Sequence, residues 1–396
     1  MPRVLLAWEG GAGRGHVVTL RSVAAALGAP EHIDAALYRM EHAGEIEDVC
    51  GTVFRGAGLR YDGEGRRARG VKTASWGEFL GDLGFRDPDF LKTQIGWWRE
   101  TILARRCGLV VGDYAPCALL AARSLGVKAV GVGAGYGLPP PGLDIFPVLI
   151  EDYSERLYDE SEMTGAVNAA LAHYGAPPVS RFSDIYAYDD QLVRSLPQLD
   201  PYPQARTAPY LPPVADAPQR LYSEGDEIFA YFSTSELDDP LLLDAFLSLD
   251  APRRVFAPGA GAQAREKLAR APGVTLEARP VPVEEIARRS RMIVHSSQNG
   301  ILALGLACGL SQAAAPQHLE QEFNARKAES LGVLRRLPRR AAEASVLGDV
   351  LMDAYESQEM RRAAQAVAQT VRPVFEVDVS QAIRTRLDAV MRAFGP

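Results

Sequence analysis

Short apolar runs alternate with helix-forming segments along this chain, and the alternation occurs twice. In the first half, residues 4–8, 33–39, 109–113 and 127–132 are strand candidates, with helical character over 17–27 and 118–125. Parallel strands cannot be joined by tight hairpins, so strands separated by helices predict a parallel, doubly wound sheet. A second series follows. Strands are predicted at 227–232, 253–257, 274–278 and 292–295, and helices at 240–249, 262–271, 284–289 and 300–307. The last long segments, 341–371 and 380–394, also have helical character.

Between the two series lies YPQARTAPYLPPVADAP, residues 202–218. Its prolines oppose helix and central strand alike, which predicts a linker. A length of 396 residues also suits two domains. The expected division is 1–213, 214–372 and a terminal helix, 373–396, packing back on the first domain. Ligands of two such domains are expected in a cleft at the carboxyl ends of the strands.

The turn after the first strand reads Gly10-Gly11-Ala12-Gly13-Arg14-Gly15-His16. Glycines let the chain turn tightly and bring backbone close to a ligand. The spacing is not that of a dinucleotide loop, and it ends on a histidine at the start of a helix. A neutral imidazole there can take a proton from a hydroxyl; the local alternative is a helix-capping histidine. Asp113 closes a buried apolar run, where a charge needs a partner. A carboxylate on one ring nitrogen of His16 would fix the tautomer and make the other nitrogen the base. Alternatively, Asp113 caps the helix that follows.

In the second half, a strand ends at His295 and runs through Ser296, Ser297, Gln298, Asn299 and Gly300 into an apolar helix. Hydroxyls, an amide and free helix N–H groups together suit a diphosphate. Further on, Glu320 and Gln321 follow Pro316-Gln317-His318-Leu319 and either hold vicinal hydroxyls or form the first turn of a helix.

Composition narrows the partners. A net charge of −7 gives no bulk attraction to nucleic acid, and none is expected. The basic segment of Arg66, Arg67, Arg69 and Lys72 is ordinarily solvated, and leaves contact with an anionic acceptor or a membrane surface open. The four cysteines have no paired spacing and the six histidines no ligand spacing, so no metal site is expected. The chain enters a strand at once and contains no membrane-length apolar run, which predicts a cytoplasmic protein. Trp76, Phe79, Phe85, Phe90, Trp97 and Trp98 concentrate in one region, with Tyr136 and Pro139-Pro140-Pro141 beyond it. Such aromatics are more often core than pocket.

Taken together, the two halves resemble the GT-B glycosyltransferases, in the UDP-glycosyltransferase-like (family 1) group. The group's C-terminal pattern is H-G-G-x-G-T-x-x-E, a helix ending A-G-x-P, and later P-x-x-x-D-Q. Here stand His295, a helix ending Ala307-Cys308-Gly309, then Pro316 and Glu320-Gln321. Phe323-Asn324-Ala325-Arg326 and Glu329-Ser330-Leu331-Gly332 continue the likeness, and Gly13-Arg14-Gly15-His16 resembles the group's glycine–histidine turn.

The resemblance implies an α/β fold of GT-B type: two Rossmann-like domains facing a cleft, acceptor in the first and nucleotide-sugar in the second. It implies an inverting, metal-independent hexosyl transfer, with His16 and Asp113 catalytic and a small, apolar or aromatic acceptor. The donor, UDP- or dTDP-linked, is a co-substrate, and no cofactor is implied. Donor contacts are expected from Gly13, Gly15, Ser233, Val281, His295, Ser296, Ser297, Gln298, Asn299, Gly300, Glu320 and Gln321. The chain departs from the pattern where serines replace the paired glycines and Asn299 the next one. No acid occupies the ribose position, which is Ala303 or Leu304, and the base-facing loop at residues 279–283 lacks a tryptophan. These departures support a second reading, a degenerate GT-B protein that binds a nucleotide-sugar or partner without transfer. Epimerisation or hydrolysis would need further acids in the second domain, and only Glu320 is available.

Overall fold

A computed structural model describes residues 1–11, 13–63, 72–153, 156–214, 217, 221, 224–338 and 340–393. Arg66, Arg67 and Arg69, positions 215, 216 and 218 of the proline-rich stretch, and Phe394 lie outside these described residues. The chain divides into two compact units, one of Met1–Leu211 with Asp378–Pro396 and one of Pro212–Val377.

In the first unit, seven parallel strands stand in the order β3-β2-β1-β4-β5-β6-β7. They are β1 (Arg3–Trp8), β2 (Ile33–Leu37), β3 (Thr52–Arg55), β4 (Cys107–Asp113), β5 (Lys128–Gly133), β6 (Asp190–Arg194) and β7 (Tyr210–Leu211). Val4 to Trp8 are fully buried, as befits a parallel strand covered on both faces. The helix Gly15–Leu27 puts Val17, Leu20, Val23, Ala24 and Leu27 on the core at three- and four-residue spacings. It stops at Gly28, whose φ of 66° is the left-handed cap that glycine adopts without strain. The helix Val379–Arg392 adds Val379, Ile383, Leu387 and Val390 to the same core. Its Arg386 donates to the Asp190 carboxylate and to Gln191 O.

The proline-rich stretch is only in part a linker. Tyr210 and Leu211 form the edge strand β7, paired with Val193 and Arg194, where prolines are tolerated on either side. Ahead of it, Arg206 and Asp200 form an ion pair whose side chains are 1% and 0% exposed. Arg206 also donates to Leu138 O at 2.7 Å and Gly135 O at 3.2 Å, while the Tyr210 hydroxyl donates to Asp200 Oδ2 at 2.8 Å. Strand β7 and its approach are thereby bolted to the loop that leaves β5.

The second unit holds six parallel strands in the order β10-β9-β8-β11-β12-β13. They are β8 (Glu227–Tyr231), β9 (Arg253–Phe256), β10 (Val274–Leu276), β11 (Ser290–His295), β12 (Ser311–Ala314) and β13 (Leu334–Arg336). The segment of helical character at 341–371 forms two helices, Ala344–Glu356 and Gln358–Phe375. Ser357 breaks it, because its side chain accepts from Met360 N and caps the second helix. In both sheets the chain reverses its direction of strand addition once, between β1 and β4 and between β8 and β11. The loops leaving those strands diverge, and the gap at their carboxyl ends is where α/β sheets bind ligands.

Replacing Arg206 by Met leaves a fully buried carboxylate unpaired, so Arg206→Met is expected to cost about 3–5 kcal/mol. Adding Asp200→Asn should recover part of that loss. Urea denaturation of the two variants measures both, and a single-variant loss below about 1 kcal/mol would remove the pair from the folding account.

Candidate functional site

At the reversal in the first sheet, Trp8 on β1 stands in register with Asp113 on β4. The chain leaving β1 turns through the glycines and delivers His16 at the start of the helix Gly15–Leu27. His16 Nδ1 lies 3.3 Å from Asp113 Oδ1, with the imidazole a quarter exposed and the carboxylate nearly buried. The Trp8 indole stacks on the imidazole at 5.2 Å and 27°, and Tyr114 stands 5.8 Å away on a tilted ring. These rings restrict the tilt of the imidazole, and Asp113 sets which nitrogen points inward.

Two glycines make room for the pair. Gly11 has a φ of +87°, and a Cβ there would stand 2.5 Å from His16 Nε2. Gly133, at the end of β5, has a φ of +148°, and a Cβ there would stand 2.9 Å from Asp113 Oδ1. Gly13 also takes a left-handed φ of +99°, whereas Gly15 is the first helical residue with open space beside it. Beyond Tyr114 the aromatic cluster sorts itself. Trp76 meets Tyr114 at 5.2 Å and Tyr136 at 4.9 Å, and its indole N–H donates to the Tyr186 hydroxyl. Phe79 packs on Trp76, and Trp76, Phe85 and Trp98 are all fully buried. Of the basic segment, only Lys72 falls within the described residues.

At the second sheet's reversal, His295 ends β11 and is fully buried. Its Nδ1 accepts from Ser297 N at 2.8 Å, so its Nε2–H donates to Gln312 Oε1 at 2.7 Å. Burial holds this imidazole neutral, with its pKa lowered to about 4. Both ring nitrogens of His295, one of the expected donor contacts, are thus hydrogen-bonded inside the protein, and the ring organises the turn. Ser297 is held at a φ of +63°, a conformation costing of order 1–3 kcal/mol in a residue other than glycine. Its hydroxyl is buried without a hydrogen-bond partner. The helix Asn299–Cys308 begins immediately after, and Gln298, its N-cap residue, gives it no side-chain cap.

Three further residues shape this turn. Glu236, after β8, accepts from Ser296 Oγ at 2.8 Å, Thr234 N at 2.9 Å and Gln298 Nε2 at 3.4 Å. Gln298 Nε2 also donates to Ser233 Oγ at 3.2 Å, bringing the ends of β8 and β11 together. Asn324 donates to Ser297 O at 3.2 Å. Gln321 is buried and its amide oxygen accepts from Gln317 N at 2.7 Å, so that oxygen closes the helix turn rather than awaiting a sugar. Glu320 is half-buried at the start of the same helix, Leu319–Ser330. Val281 packs on the apolar cluster of Phe229, Ile286 and Ile293. Ala303 and Leu304, where an acid would meet a ribose, are buried and apolar.

Sequence reasoning gave no site role to Gly133, Glu236 or Asn324, whose roles arise from contacts between separate segments. Gly11 carried a usable signal, being a second glycine beyond what a tight turn needs. Among the described residues, no group of three or more His, Cys, Asp or Glu side chains could hold a metal ion. Nor is any described helix long and apolar enough to cross a membrane.

The two-unit architecture is the GT-B fold of glycosyltransferases of known structure. The chain is similar to CalG4, the calicheamicin glycosyltransferase, with a TM-score of 0.70 and 14% identity over 100% of this chain and 99% of that one. It is also similar to the spinosyn rhamnosyltransferase SpnG complexed with thymidine diphosphate, at 0.66 and 15% over 98% and 100% of the chains. The same enzyme complexed with spinosyn aglycone matches at 0.64 and 16%, again over 98% and 100%. The glycosyltransferase SnogD from Streptomyces nogalater matches at 0.62 and 16% over 98% and 99%. No family model matches the chain, and no curated protein matches it in sequence.

Because His295 titrates lower folded than unfolded, the folded state binds fewer protons in between. Its contribution is full above pH 6.5 and is lost as pH falls from 6.5 towards 4, at most roughly 3 kcal/mol. His295→Asn keeps an acceptor for Ser297 N and cannot titrate. Its stability deficit against wild type should therefore shrink as pH falls through that window in denaturant titrations. A deficit independent of pH would mean that His295 is not held neutral.

Proposed function

We propose that this protein is a cytoplasmic, inverting glycosyltransferase that moves a sugar from a nucleotide diphosphate donor to a hydroxyl or similar nucleophile of a small acceptor. The observation that carries the reading is the His16–Asp113 pair at one strand-order reversal, supported by the Ser297 hydroxyl beside a helix start at the second. In this reading Asp113 keeps the proton on Nδ1 of His16, and Nε2 takes the acceptor's proton as its oxygen attacks the anomeric carbon. The new C–O bond forms as the bond to the diphosphate breaks, the electron pair leaves with the diphosphate, and the carbon inverts. The first N–H groups of the helix Asn299–Cys308 and the Ser297 hydroxyl stabilise the departing charge, without need of a metal.

The apolar Ala303 and Leu304 favour a thymidine diphosphate donor over a uridine one. A deoxyribose has no 2′-hydroxyl to be left unpaired against them. Support also comes from SpnG, of the same fold, which binds thymidine diphosphate. Tyr114 beside His16, backed by the buried Trp76 and Tyr136, supports an apolar or aromatic acceptor.

In a thermal-shift series, thymidine diphosphate should raise the melting temperature more than uridine diphosphate. Saturation a hundredfold above Kd contributes about 2.7 kcal/mol, an easily read shift. With the donor so identified, His16→Ala should lower transfer by about 10²–10⁴-fold while donor binding persists. Near-normal turnover by His16→Ala removes His16 from the mechanism. Donor binding with no transfer by the wild type, across acceptors of this class, favours the non-catalytic reading.

A further inference from the structure

Glu9 lies between β1 and the glycine turn and is fully buried. Its carboxyl reaches across to the helix Pro116–Ser124, which follows Asp113 and β4. That helix has Ala115 as its N-cap residue, a side chain that can accept nothing. Glu9 supplies the acceptor instead: Oε2 takes Cys117 N–H at 3.0 Å and Oε1 takes Ala118 N–H. Its backbone is used as well. Glu9 N–H donates to Tyr114 O at 3.3 Å, and Glu9 O accepts from Leu59 N–H at 2.9 Å. One residue thus joins the end of β1, the β4–helix connection and the segment at Leu59.

A helix needs no such arrangement to be capped. A serine or aspartate at position 115 would serve locally, without placing a carboxyl in the core. The burial is costly enough to push the Glu9 carboxyl up to about 8, against the opposing pull of the two helix N–H groups. What the long reach provides is a fixed distance between two loops. Asp113 immediately precedes Tyr114, which sits at a left-handed φ of 51°, and His16 leaves the same turn that Glu9 begins.

We infer that Glu9 is a positioning residue for the His16–Asp113 pair, holding the β4–helix connection against the end of β1 so that the carboxylate stays within reach of the imidazole. Its consequence for turnover rests on the proposed glycosyl transfer; its consequence for the His16 ring does not.

The test compares wild type, Glu9→Ala, Glu9→Gln and the double variant Glu9→Ala with Ala115→Ser, which restores a local cap. The 15N spectrum of the His16 ring reports which nitrogen carries the proton. Wild type should show the proton on Nδ1, and Glu9→Gln, which keeps one acceptor oxygen, should stay near it. Glu9→Ala should lose that preference, and the double variant should regain thermal stability without regaining it. Transfer by the double variant should fall on the order of 10²-fold in kcat with the donor KM unchanged. If the double variant recovers the wild-type ring signal, Glu9 is a helix cap alone and the inference is overturned. If Glu9→Ala does not fold, a wild-type ring signal in the double variant still overturns it. A changed ring signal in a protein whose wild type transfers no sugar leaves the positioning role standing and removes the catalytic reading.

Discussion

Parallel strands must be connected by crossovers, and a crossover sheet that grows outward in both directions has one place where its loops diverge. In each unit that constraint is met between the first and fourth strands, β1 and β4 in one, β8 and β11 in the other. Everything chemically notable follows from it. The chain leaving β1 carries Glu9, the glycines and His16; the chain leaving β4 carries Asp113 and Tyr114. The chain leaving β8 carries Ser233 and Glu236, and the chain leaving β11 carries the serine turn. Buried strands fix the positions of these loops to within a hydrogen bond, which no surface loop alone could do.

The two reversals differ in how their loops are held. In the first unit, space is reserved by missing Cβ atoms at Gly11 and Gly133, and orientation comes from the stacked Trp8 ring. In the second, hydrogen bonds do the holding. A neutral His295 bridges Gln312 and Ser297 N, Glu236 ties Ser296 to Gln298, and Asn324 secures Ser297 O. The Ser297 hydroxyl and Gln312 Nε2, both buried and without a hydrogen-bond partner, are the polar groups this network leaves over. A hydroxyl kept in that state beside a helix N-terminus is stabilised by any anion that reaches it.

Much of this was legible in the sequence, and the limits were physical. Strand–helix alternation identified both sheets, because buried parallel strands are continuous apolar runs. Strands β3, β6, β7 and β13 escaped notice. The proline-rich stretch misled because its edge strand and the Arg206 contacts with Leu138 and Gly135 depend on segments outside it. His16 and Asp113 were readable from a histidine after glycines and an acid closing an apolar run. His295 and Gln321 were read as ligand contacts from their positions; the ring nitrogens of the one and the amide oxygen of the other bond to residues within the unit. Glu9 looked like an ordinary end of a strand. Only the fold reveals that its carboxyl reaches a helix whose first residue is Pro116.

The central claim of the proposed function is that the turn after β11 receives the diphosphate of a nucleotide donor. A crystal structure determined with thymidine diphosphate at saturating concentration tests it most directly. The account predicts the diphosphate against the first turn of the helix Asn299–Cys308, with an oxygen within about 3 Å of Ser297 Oγ. Nucleotide density elsewhere on the second unit, or none at all, would contradict it.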